Sequence, residues 1–200
     1  MTGQIDDCFR YDGTKYSVAG ISEGQIFDPA WLGLTPVSPC TACWRGYQAI
    51  YTVIDRQLVI ETLCVSLPGR GSPDDGAYGP PINGLFPQSP ENPNEDFFNN
   101  HYIGLNYPLH YTGGMLIADG FFWELYDHMG FQAAWKYAIV VELIFVDGRL
   151  EQAFKRSDRM AAIREEFEKL SSSTSIDSWK IGLNDFEAYV KQSFDRRYRF

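Results

Sequence analysis

Two β-hairpin patterns on either side of a long Pro/Gly-rich stretch constrain this chain more than anything else in it. The first rises from Trp44 to Ile54, turns at Asp55-Arg56-Gln57 and returns from Leu58 to Val65. The second rises from Trp135 to Val146, turns at Asp147-Gly148-Arg149 and returns from Leu150. β-Branched and aromatic residues dominate the arms, and successive side chains point to opposite faces of a strand. Asp-Gly between two such arms is a strong hairpin signal. Reversing ribbons exclude an alternating nucleotide-binding fold. They predict an α+β class: an antiparallel sheet built on the two hairpins and covered by C-terminal helices, in a single domain spanning 1–200.

Residues 1–40 are irregular, with turn residues at Asp12-Gly13, Asp28-Pro29 and Thr35-Pro36 and one short strand around Tyr16–Ile21. Ile26, Phe27, Trp31 and Leu32 are expected to tuck against the sheet. Seven of the eleven prolines and five glycines fall within the acidic stretch 68–100, which excludes a helix or a central strand there. Loops this long are usually lids, binding loops or disordered segments. A further strand is expected near His110–Ile117 and a short helix over 119–129, with Asp119 as N-cap and Gly130 as stop. The run Lys136–Val146 is apolar on both faces except at Glu142, the pattern of a central strand covered on both sides. Two helices close the chain. Ser157 starts one with Met160, Ile163, Phe167 and Leu170 on a single face; Asn184 and Glu187 start the other, with Phe186, Tyr189, Val190 and Phe194 as its stripe.

Charge is divided unevenly. Residues 1–146 hold 16 acidic and 6 basic side chains, whereas 147–200 hold 10 and 11, within an overall formal charge of −9. An acidic β-rich body disfavours phosphate contacts, so nucleic acid is not an expected partner, and it favours a basic protein. The tail Arg196-Arg197-Tyr198-Arg199-Phe200 is basic and aromatic but too short for a nucleic-acid module. No apolar run reaches the ~20 residues of a membrane span, and the N-terminus lacks the basic and apolar regions of a secretion signal. The expected setting is therefore cytoplasmic, away from any membrane. Fourteen Phe, twelve Tyr and five Trp are more rings than one core hides, and aromatic side chains left at the surface make good anchors for a partner.

No strong catalytic signature is present. Cys40-x-x-Cys43, with Cys64 and Cys8 as distant supplements, lacks the second Cys-x-x-Cys of a zinc site and the βαβ setting of a redox pair, so redox-active and structural readings of these thiols both stand. His101, His110 and His128 form no helical chelating pair, and no metal or cofactor is expected. His128 either caps a helix end or transfers protons beside Tyr126. Glu142 must reach solvent, pair with a cation such as Arg45 or Lys136, or carry a raised pKa. Glu61 and Glu124 are other carboxylates on regular elements. Gly69-Arg70-Gly71-Ser72 lacks the lysine and helix of a phosphate loop.

Thr41-Ala42-Cys43-Trp44-Arg45-Gly46-Tyr47 and Tyr126-Asp127-His128-Met129-Gly130-Phe131 resemble, in this order, segments of a family of small uncharacterised bacterial proteins. The resemblance implies a bacterial, cytoplasmic protein and transfers no catalytic residue. The sequence thus points to a non-enzymatic protein-binding factor, of an immunity or accessory type, with Trp44, Tyr47 and Tyr126 as binding residues against a basic partner. The alternatives are an enzyme of unknown class using Arg45, His128 and Glu142 beneath the 68–100 loop, or a small-ligand sensor.

Overall fold

A computed structural model describes residues 2–69, 79–90, 97–173 and 195–198. Its centre is one eight-stranded mixed sheet, and this overturns the α+β expectation. The strands are β1 (Cys8–Tyr11), β2 (Thr14–Ile21), β3 (Tyr47–Ile54), β4 (Gln57–Val65), β5 (Asn100–Pro108), β6 (Gly113–Phe121), β7 (Tyr137–Val146) and β8 (Arg149–Lys155). One α-helix, α1 (Ser157–Ser173), is present among the described residues. The helix expected from Asn184 lies outside them.

Both hairpins form as the pattern required, β3 with β4 and β7 with β8. A third, β1 with β2, precedes them around Asp12-Gly13. Each closes through two residues with positive φ: Asp12 and Gly13, Asp55 and Arg56, Asp147 and Gly148. That is the mirror-image turn whose twist matches the twist of the strands it joins.

The sheet is not wholly antiparallel. β1 runs parallel to β3, with Cys8 opposite Ile50 and Phe9 opposite Tyr51. The order β3-β1-β2-β6-β7-β8-β4 returns to its start because β4 also pairs with β3. The seam between β8 and β4 is a single residue pair, Gln57 with Arg149, flanked by amide bonds from Leu58 to Gly148 and from Leu150 to Arg56. Seven strands are thereby closed into a barrel, and β5 takes the rest of the β4 edge. Closure removes most free edges from a sheet that would otherwise expose them.

The barrel interior holds the main core: Phe9, Val18, Ala49, Tyr51, Leu58, Ile60, Tyr102, Met115, Ile117, Leu143 and Phe145 are all buried in one cluster. A second cluster lies on the outer face of β2, β6 and β7, where Ala19, Leu116, Ala118, Tyr137 and Val140 pack against Met160 of α1. The Ser157 hydroxyl accepts from the Val140 amide and ties the start of α1 to β7. The double apolar face of β7 thus has its two layers, although one layer is barrel interior rather than helix.

Other expectations require correction. The segment 119–129 is not a helix: β6 runs through Asp119 to Phe121, and only a 3-10 turn, Trp123–Leu125, follows. Aromatic residues with good strand propensity overrode a helical spacing that rested on three positions. β1 and β5 were not foreseen, since each is short or broken by polar residues and Gly104. Ile26 and Phe27 are buried and Leu32 is half-buried, but Trp31 is exposed. Within the stretch 68–100, residues 70–78 and 91–96 lie outside the described set. The described part lies along β5, where Ile82 enters the core and Gln88 bridges His101.

Candidate functional site

The two segments singled out by resemblance meet in space, and residues 2–7 are what join them. The Tyr126 hydroxyl oxygen accepts the Gly3 amide at 3.1 Å. The Gln4 amide donates to Gly130 O at 2.7 Å, and Gln4 Nε2 to Thr41 O at 2.9 Å. Gln4 Oε1 accepts the Trp44 amide at 3.0 Å, and the Ile5 amide donates to Ala42 O. Gln4 is therefore a connector, with its backbone amide and both side-chain polar atoms in use. The 126–136 loop is braced by Gln132, which bonds both backbone groups of Asp127, and by buried Lys136, which bonds Asp127 and Gln132.

Just inward, at the end of the barrel, lies a buried charge cluster. Arg45 donates to both oxygens of Asp7, at 2.7 and 2.8 Å, and to Ile5 O at 3.1 Å. Asp7 Oδ1 also accepts the Ala49 amide at 2.8 Å, and Arg196 lies 3.5 Å from Oδ2. Phe131 is shared by the two guanidiniums, 5.6 Å from Arg45 and 4.5 Å from Arg196. Tyr47 stacks on the other side of Arg45 at 4.7 Å. Asp6 sits alongside, with the Tyr137 hydroxyl donating to its Oδ2 at 3.4 Å and its Oδ1 buried without a hydrogen-bond partner.

These surroundings drive the two neighbouring carboxyls apart. Burial opposes ionisation of Asp7, but Arg45 and Arg196 outweigh it and hold the group below its usual range. Burial dominates at Asp6 and, with repulsion from Asp7, lifts it to about 6 against the pull of Arg196 and Arg45. Burial pushes Tyr47 up to about 12, and burial with Asp6 raises Tyr137 as well. Asp7 is saturated with donors and has no oxygen left to act as a base. Asp6 is the group in this cluster able to exchange a proton close to neutral pH.

The sequence candidates fall into separate settings. Arg45 is committed to Asp7. Glu142 is buried on the outer face of β7, but its partners are Arg156, at 2.7 Å from Nε, and the Tyr198 hydroxyl at 2.6 Å, not Arg45 or Lys136. His128 is exposed, with its ring edge-on to Tyr126 at 4.9 Å, and no helix end lies there to favour its charge. No contact among the described residues joins these three. Glu61 bonds Arg10, and Glu124 is exposed in the 3-10 turn next to Trp123. Of the binding candidates, Trp44 and Tyr126 flank the Gly3–Gln4 connector, whereas Tyr47 lies against Arg45 and Phe27. None of the four cysteines is in a disulfide, and burial pushes the Cys8 and Cys43 thiols up, away from the reactive thiolate.

Beside this junction stands a ridge of rings. Trp123 is 77% exposed, yet Phe121 contacts it edge-on at 5.3 Å and Tyr126 lies 6.2 Å away. Trp44 is 50% exposed. Asp6, Asp7, Phe131, Trp123 and Arg196 were absent from the sequence candidates. The adjacent acids Asp6-Asp7 immediately before an apolar pair were a usable signal for two of them; Arg196 was not findable, because its partner lies 189 positions earlier. Comparison of the chain with protein-family models, curated proteins and solved structures finds no match.

Proposed function

We propose that this protein is a binding factor, of the immunity or accessory type, that holds a basic protein partner and turns nothing over. The observation that carries the reading is exposed Trp123 packed on Phe121 and Tyr126, with exposed Trp44 on the loop that Gln4 ties to the same junction. Trp123 stands in solvent but is braced by Phe121 and Tyr126, so little conformational freedom is lost when it docks. Glu124 stands next to Trp123, and residues 1–146 carry an acidic balance, the charge that attracts a basic surface. The separate partners of Arg45, Glu142 and His128 also support binding over turnover. Asp7 and Arg45 then serve to hold the loop that presents Trp44 against the N-terminal segment, which itself bonds Tyr126 and Gly130.

The test is affinity capture from the source cells with the unmodified chain and with W44A/W123A. A basic protein retained by the first and lost by the second is the expected result. Its association rate should fall steeply between low and physiological salt. Identical captured sets, or an association rate indifferent to ionic strength, would overturn the reading.

A further inference from the structure

β2 has a stretch of edge that β1 does not cover. β1 pairs with β2 as far as Ser17, and Val18 donates its amide to Asp7 O. Beyond that, residues 2–5 turn away toward Ala42 and Gly130, and the C-terminal segment fills the gap. Ile21 donates its amide to Arg196 O at 2.8 Å, and Tyr198 donates its amide to Ile21 O at 2.9 Å. The segment thus adds to the sheet as a short parallel strand, bridging at Ile21 and Arg197.

Alternate residues of that segment enter built pockets. The Arg196 guanidinium bonds Val18 O, approaches Asp7 and lies on the Phe131 ring. Without it, Arg45 alone would face Asp6 and Asp7. Tyr198 bonds buried Glu142 through its hydroxyl and lies over Gly20 and Gly114. A Cβ on Gly114 would overlap the Tyr198 hydroxyl, so the absence of a side chain there makes the room. Arg197 between them has a side chain 62% exposed and, among the described residues, bonds Asp195.

We propose that this edge is a strand-addition site for extended Arg-x-Tyr segments, held in this chain by its own tail and open to the same pattern on another protein. Main-chain bonds to Ile21 supply affinity, and the two pockets supply the pattern, as in other β-augmentation sites. Among the described residues the segment is held by two main-chain bonds to Ile21 and by the Arg196 and Tyr198 side chains, a small unit able to open without the barrel. The site is independent of the Trp123 ridge.

The probe is a fluorescein-labelled peptide, Asp-Arg-Arg-Tyr-Arg-Phe, titrated by anisotropy into the full-length chain. The unmodified chain is compared with Arg196→Ala/Tyr198→Ala, whose own tail no longer fits. The variant should bind at least about tenfold more tightly, the worth of one charge-assisted hydrogen bond. A control peptide, Asp-Ala-Arg-Ala-Arg-Phe, should lose at least about tenfold on the same variant. Equal binding of the two peptides, or equally weak binding to both proteins with the thermal transition retained, would overturn the proposal. Should the variant fail to fold, amide exchange on the unmodified chain decides. Tyr198 and Ile21 amides exchanging well before those of β6 support a displaceable tail, and exchange only with the whole barrel refutes it.

Discussion

Arg45 holds both carboxylate oxygens of Asp7 in a paired grip, at 2.7 and 2.8 Å, across 38 positions of sequence. This contact fastens the loop entering β3 to the segment entering β1, and these are the two strands that run parallel. A parallel pair cannot be joined by a tight turn. Here the register is fixed by the side-chain pair at its start and by the Ala49 amide on the same carboxylate.

Loss of either partner should leave a buried charge uncompensated. Asp7→Asn and Arg45→Ala are each expected to destabilise by about 3–5 kcal/mol in urea unfolding. The double replacement should cost clearly less than the two single losses together. Additive losses would show that the pair does not act as a unit.

Asp6 gives a distinct pH signature. Its folded pKa of about 6 lies above the ordinary 3.8, so the native state binds its proton more tightly than the unfolded chain. Stability from this group is fully present below about pH 4 and lost as pH rises through about 6. Asp6→Asn should therefore raise stability at pH 7, by up to about 3 kcal/mol, and flatten the profile between pH 4 and 7. Asp7 acts in the opposite sense, since its lowered pKa gives stability that disappears only in stronger acid. Denaturant midpoints across pH 3–8 check both slopes.

Gly114→Ala should evict the Tyr198 ring. The expected loss is that of a hydrogen bond to a charged acceptor, about 1.5–3 kcal/mol, with faster exchange at the Tyr198 amide. Tyr198→Phe should cost a similar amount, and combining the two should add little. A full second increment from Tyr198→Phe in the Gly114→Ala background would show that the glycine does not act through this contact.

Barrel closure has its own sensitive position. Gly148 has φ +77°, and an added Cβ would overlap Leu109 O next to the β4–β8 seam. Gly148→Ala is expected to cost at least about 2 kcal/mol, from backbone strain and the clash together. Gly24→Ala is the control: its φ is also positive, but nothing lies within 4 Å. It should cost only the strain, about 1–2 kcal/mol, and a smaller fall in melting temperature than Gly148→Ala.

Much of this architecture is local and was readable as such. Asp147-Gly148 between two apolar runs can hardly be anything but a two-residue hairpin, and Asp55-Arg56 reads the same way once its flanks alternate. Glu142 stood out as an anomaly because one carboxylate in an apolar strand demands an explanation. Its partners did not: Arg156 is 14 positions away and Tyr198 is 56, and no local rule selects them over Arg45 or Lys136. The false helix over 119–129 came from reading periodicity where β6 and its pairing with β7 decide the backbone. Trp44 and Tyr126 were singled out as binding candidates, but their tie to the adjacent residues Gln4 and Gly3 was not legible.

The order of residues alone determined the ribbons, their turns and the two-sided burial of β7, because these depend on neighbours a few positions apart. Only the folded molecule decided that the ribbons close into a barrel, that β1 and β3 run in the same direction, and that Asp6, Asp7, Arg45 and Arg196 share one buried cluster. Such long-range pairings are selected by the total burial and charge compensation of the whole chain, which no short window of sequence contains.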